Sequence, residues 1–192
     1  MSILVFAEHD NSTLKAETLK TVAAAQGIGS DITILVAGFN CQAVAESAAK
    51  VNGVTKVLVA DNAAYEHQIA ENISLLVVEL AADYEHIIAT ALSTGKNFMP
   101  RVAALLDVTQ ISDIIGVESS DTFVRPIYAG NAIATVQSLD SKKIITVRAT
   151  GFDAVATDGN AEIVAIDSVT DAGISSHISD ELTVSERPDL GA

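Results

Sequence analysis

The stretch ILVFAEHDNSTL, residues 3–14, decides the reading of the fold. Its first five residues, Ile3 to Ala7, are all apolar, the composition of a strand buried on both faces of a parallel sheet. The run ends at His9-Asp10, and Asn11 or Ser12 can cap a helix that follows. Leu14, Thr18, Leu19, Val22 and Ala25 then recur at helical spacing, with Gly27 suited to the stop. A buried strand followed by an amphipathic helix is half of a βαβ unit, and the pattern repeats. Asp31 to Ala37 reads as a second strand, about Cys41 to Lys50 as a helix closed near Gly53, and Lys56 to Ala60 as a third strand. The apolar residues from about Ile69 to Ala82 nearly encircle a helix, which predicts deep burial. His86 to Leu92 is the fourth strand, and a helix starts after Gly95 and runs to about Leu106.

Beyond that point the spacing shortens. Ile111 to Glu118, Phe123 to Ile127, Ala132 to Gln137, Lys143 to Val147 and Glu162 to Ile166 read as strands joined by turns such as Gly130-Asn131 and Asp140-Ser141. Pro126 restricts its strand to an edge or a strand end. The fold class expected is α/β: three layers around a mostly parallel, Rossmann-like sheet with antiparallel strand additions in the C-terminal third. Residues 1–152 form the α/β domain. Residues 153–192 supply terminal strand material and an acidic connector, because the last 44 residues carry nine acids and one base, Arg187.

Composition narrows the function. Val, Ile, Leu and Phe make up 58 of the 192 residues, which suffices for a real core. The core must be aliphatic, since there are five Phe, three Tyr and no Trp, and stacking surfaces for bases or sugars are scarce. A net charge of −14 repels phosphate backbones and anionic headgroups, which argues against nucleic acid and membrane-surface partners. The single cysteine, Cys41, reads as a small buried hydrophobe in a reduced compartment. The N-terminus lacks a basic region before its apolar run, and the most hydrophobic segment, ISLLVVELAA, is interrupted by Glu79. A cytoplasmic protein is expected.

Motifs for resident chemistry are missing. Ile3 to Ala7 is followed by no glycine loop, and Gly27-Ile28-Gly29 follows a helix, so a self-contained dinucleotide site is disfavoured. Gly95-Lys96 is not a P-loop, because Thr90 stands where the first glycine must be and Asn97 where the Mg²⁺-binding hydroxyl must be. There is no nucleophile elbow. Tyr-Glu-His occurs at Tyr65 to His67 and again at Tyr84 to His86, but neighbouring Glu and His point apart on a regular element, so no metal site and no catalytic residue is expected. His9 and Asp10 end the first strand, where doubly wound sheets place ligands. The best candidate for a contact with another domain or subunit is STGKNFMPR, residues 93–101. There Gly95 permits close backbone approach, Lys96 and Arg101 are rare cations, and Pro100 fixes a helix start.

Those residues also carry a resemblance. STGKNFMPRVAALLDVTQISDI (93–114), DTFVRPIYAGNAIATVQS (121–138) and KKIITVRATGF (142–152) strongly resemble the N-terminal domain of the alpha subunit of electron transfer flavoprotein. The opening ILVFAEHDNSTL and the closing SERPDLGA (185–192) fit as well, so the resemblance covers essentially the whole chain. Ser93-Thr94 departs from the aromatic that members often carry before the Gly-Lys pair. The resemblance implies an adenine nucleotide alpha hydrolase-like sheet and an electron carrier rather than an enzyme. It implies a heterodimer with a beta subunit that takes electrons from acyl-CoA and other dehydrogenases, as in fatty-acid β-oxidation, and passes them to a quinone oxidoreductase. FAD is then held by a C-terminal alpha domain that this chain, ending at Ala192, does not include, and AMP by the beta subunit. No cofactor is expected in this chain alone. Two other classes stay open: a nucleotide-binding module of the universal-stress type, although the G-x-x-G loop with a later Gly-Ser or Gly-Thr is absent, and a pure protein-interaction domain.

Overall fold

The computed structural model describes residues 1–181. The elements in chain order are β1 (Ser2–Phe6), α1 (Ala16–Gln26), β2 (Asp31–Gly38), α2 (Gln42–Ala48), β3 (Val54–Asp61), α3 (Ala70–Leu80), β4 (His86–Thr90), α4 (Ser93–Leu105), β5 (Gln110–Ile114), β6 (Gly116–Val117), β7 (Thr122–Ile127), β8 (Ala132–Gln137), β9 (Lys143–Val147) and β10 (Glu162–Ala165). Seven strands form one sheet in the order β10-β3-β2-β1-β4-β9-β5, and every neighbouring pair is parallel. The apolar run at the N-terminus is its middle strand.

Alternation along β1 explains the three layers. Ile3 and Val5 join Ile32, Ile34, Val22 and Val44 in one core, under α1 and α2. Leu4 and Phe6 join Leu35, Ile73, Leu76, Phe98 and Val102 in a second core, under α3 and α4. Successive side chains of a strand face opposite sides, so a run buried on both faces is apolar at nearly every position.

The α/β class with antiparallel additions holds, but the placement of the late strands differs from the expected extension of the main sheet. The antiparallel strands β6, β7 and β8 make a separate three-stranded sheet. Strand β9 instead inserts in parallel between β4 and β5, and β10 adds in parallel beside β3. The burial patterns give the reason. β8 alternates between half-buried and exposed residues, as a sheet with one wet face requires, whereas Ile144 to Val147 of β9 are all buried and need cover on both sides. Pro126 faces only β8 at its position, since β6 reaches no further than Val124, so the missing N–H breaks no ladder.

After β10 the chain runs irregularly along α3. The hydroxyl of fully buried Tyr65 donates to Ser168 O (3.3 Å) and accepts from Thr170 N (2.9 Å), and Asn72 Oδ1 accepts from Ala172 N (2.9 Å). This accounts for the burial of a helix that is apolar on most sides. No helix among the described residues is long and apolar enough to cross a membrane. The closing SERPDLGA segment, with Arg187, lies outside the described residues.

Candidate functional site at the switch point and helix α4

From β1 the chain winds one way to β2 and β3, then returns to place β4 on the other side of β1. Ligands of doubly wound sheets bind at such a reversal, outside the carboxyl ends of the two strands. Here the chain fills that place itself. Glu8, two residues beyond the end of β1, accepts a hydrogen bond from the Thr94 hydroxyl in the first turn of α4 (2.9 Å). Burial is the largest influence on the Glu8 carboxyl and pushes its pKa up, with the Thr94 bond opposing it. The buried hydroxyls of Thr21 (α1) and Thr90 (β4) meet at 2.9 Å across the same reversal.

The loop after β1 is equally committed. Asn11 N donates to His9 Nδ1 (3.0 Å), which puts the proton of the neutral ring on Nε2. Burial pushes the His9 pKa down. Asn11 Oδ1 accepts from Phe39 N (3.1 Å) and its amide donates to Glu66 O (2.9 Å), tying this loop to those following β2 and β3. Gly38 is required beneath it, because a Cβ there would overlap Asn11 Oδ1 and the His9 ring. Asp10 accepts from the Lys15 ammonium, the Ser12 hydroxyl, Thr13 N and Ser12 N, and these bonds, the first foremost, hold its pKa well below the carboxylate range. Asp61 at the end of β3 accepts from Asn40 N (2.7 Å) and Cys41 N (3.2 Å) at the start of α2. The Cys41 thiol is buried and pushed up to about 11, mainly by desolvation, so it has no thiolate reactivity at neutral pH.

The motif at residues 93–101 is placed differently from its expected role in two respects. The helix begins at Ser93, so Gly95 lies inside the first turn, and Pro100 sits in the middle of the helix. Pro100 therefore does not fix a helix start; it leaves the Lys96 carbonyl without its helical N–H partner. The close approach that Gly95 permits is internal: a Cβ there would collide with the Thr90 carbonyl, so α4 lies directly on the end of β4. Gly95 is buried, while Lys96, Asn97, Pro100, Arg101 and Ala104 are exposed at spacings that put them on one helical face. Leu105, 49% exposed, extends that face. Among the described residues neither Lys96 nor Arg101 makes a salt bridge.

Away from this edge, a cavity of about 660 Å³ lined by Gln26, Gly29, Ser30, Gly53, Val54 and Thr55 opens at the starts of β2 and β3. It offers no titratable group. The two Tyr-Glu-His tripeptides have different fates: His86 is buried at the start of β4 with Nε2 donating to Ser120 O (2.6 Å), whereas Glu66 and His67 are exposed in a loop, 3.8 Å apart.

Comparison with known proteins matches residues 3–171 to the electron transfer flavoprotein domain. The chain belongs to the electron transfer flavoprotein family. Its whole length is 61% identical to 62% of the electron transfer flavoprotein subunit alpha of Pseudomonas aeruginosa. The Paracoccus denitrificans subunit alpha is 48% identical over 99% of the chain, and the mitochondrial subunit alpha of Dictyostelium discoideum 46% over 97%. The chain spans 58 to 62% of the length of these relatives. The family assignment gives the 93–101 motif its setting but assigns no role to its residues. Glu8 is the switch-point group that sequence reasoning passed over; the available signal was a carboxylate directly after a fully buried strand, where an anion otherwise binds.

Proposed function

We propose that this chain is the N-terminal scaffold domain of an electron transfer flavoprotein alpha subunit, working in the bacterial cytoplasm. In the assembled protein it packs with a beta subunit and carries an FAD-binding domain. The complex shuttles electrons from acyl-CoA and other dehydrogenases to a quinone oxidoreductase, with AMP in the beta subunit. The observation that carries this reading is the end-to-end match of the chain to 62% of the P. aeruginosa subunit alpha.

The residues present do not fit FAD. A pyrophosphate needs free N–H groups at a glycine-lined helix start and a neighbourhood without negative charge. At α4 the space beside Gly95 is taken by Thr90, and the chain's own Glu8 carboxyl lies against the first turn, bonded to the Thr94 hydroxyl. No electron-transfer step is therefore assigned to residues of this chain. What they supply is a rigid sheet edge and an exposed α4 face bearing Lys96, Pro100 and Arg101, which suits carboxylates or backbone carbonyls of a partner. Gly95 serves that face indirectly, by seating the helix. Co-expression with a bacterial beta subunit and the C-terminal remainder of the alpha subunit should give a yellow complex retaining all three parts; failure of the three to co-purify would overturn the proposal.

A further inference from the structure

Asp10 and Lys15 pair within their own turn, whereas one cluster of metal-ligating side chains among the described residues is not explained by the fold. His67, in the loop before α3, lies beside His177 and Asp180, more than a hundred residues later in the chain. The two imidazole rings stack at 3.6 Å between centroids, only 11° from parallel. His177 Nε2 is 3.0 Å from Asp180 Oδ1, and Glu66 Oε2 is 3.8 Å from His67 Nε2. One ligand atom from each of His67, His177 and Asp180 falls within 4.8 Å of the other two.

Their meeting is organised by the body of the protein. Tyr65 and Asn72 bind the backbone at Ser168, Thr170 and Ala172, and the hydroxyls of Ser168 and Ser175 donate to Glu79 (2.6 Å) and Glu71 (3.0 Å) of α3. The irregular segment is thus laid along α3 in a fixed register, which delivers His177 to His67. We propose that His67, His177 and Asp180, with Glu66 beside them, form a surface site for a borderline divalent transition metal such as Zn²⁺ or Ni²⁺, which clips the segment after β10 to the α3 side of the domain.

Two imidazoles and a carboxylate are the donor set that such ions prefer over Mg²⁺ or Ca²⁺, and a water completes four-coordination. An imidazole lone pair lies in the ring plane, so parallel stacked rings do not aim at one point. Binding requires one exposed ring to tilt, and the proton on His177 Nε2 to move to Nδ1 so that Nε2 can ligate. Both changes are confined to exposed side chains. The strongly acidic surface raises the local concentration of cations around the site.

The test is calorimetric titration of the metal-free 192-residue chain with ZnCl₂, in parallel with His67→Ala, His177→Ala and Asp180→Asn. One zinc per chain is expected, with affinity reduced at least roughly tenfold in each histidine variant and less in Asp180→Asn. Hydrogen exchange of residues 176–181 should slow on adding zinc to the parent and stay unchanged in His67→Ala. Far-ultraviolet circular dichroism checks that the variants, all at exposed positions, remain folded. Absence of binding up to about 1 mM zinc, where only millimolar affinity would go undetected, overturns the site. Binding that survives both histidine substitutions overturns it as well, and shows that the stacked pair is only a packing contact.

Discussion

Glycine 95 and glutamate 8 set the character of the switch point. Gly95→Ala places a methyl against the Thr90 carbonyl, a backbone atom that cannot give way without moving α4 off the sheet. A loss of about 3 kcal/mol is expected in urea unfolding, at the upper end of overpacking penalties; a loss well under 1 kcal/mol would mean that the helix is not seated on β4 as described. Glu8 titrates in the opposite sense to the buried histidines. Burial lowers the pKa of His9 and of His86, so the unfolded chain binds protons first below about 6.5 and stability falls with pH. Burial raises the pKa of Glu8, so above 4.5 the folded state binds its proton first and gains stability as pH falls through the folded value. Glu8→Gln retains an acceptor for Thr94 and removes this compensation. The variant should be more stable than the parent near pH 7, and that advantage should shrink as the pH falls and the parent's Glu8 takes up its proton, measured as urea midpoints. Parallel curves would contradict the buried-carboxylate account.

Helix α4 is the element through which this domain meets its partners in the proposed assembly. Its inner side, with Phe98, Met99 and Val102, is buried in the core, and its outer side presents two cations that make no salt bridge among the described residues of a strongly acidic molecule. Arg101→Ala should weaken association with the beta subunit several-fold, and Lys96→Glu with Arg101→Glu together by roughly tenfold or more, without shifting the melting temperature of the isolated chain. Association that is unchanged at any salt concentration would remove α4 from the interface. The parallel elements of this fold were legible in the sequence because a doubly buried strand is almost wholly apolar, as Ile3 to Ala7 is throughout and Ile32 to Ala37 is except for the buried Thr33. The same rule applied to Lys143 to Val147 would have placed β9 inside the sheet; short spacing between late strands pointed instead to hairpins. The start of α4 was misplaced because Gly95 and Pro100 are residues that punctuate helices, and here one serves close packing and the other interrupts a hydrogen bond on an exposed face. The Glu8–Thr94 contact and the His67–His177 stack were not legible, since both join residues separated by long stretches of chain and depend on where β4 and the final segment return.

At the scale of the whole molecule, the domain is a closed structure. Among the described residues both sheet faces are covered, the loops at the carboxyl edge are bonded to one another, and the Glu8 carboxyl is bonded to the Thr94 hydroxyl at the switch point. With a net charge of −14 the molecule also repels a free dinucleotide before any contact forms. In the proposed assembly this chain is the part that positions a flavin site rather than the part that makes one. The measurement that tests this most directly is flavin retention: the purified 192-residue chain is incubated with excess FAD, desalted, and its absorbance read in the flavin region. The account predicts a colourless protein with no bound flavin, whereas flavin retained at one equivalent per chain would contradict it.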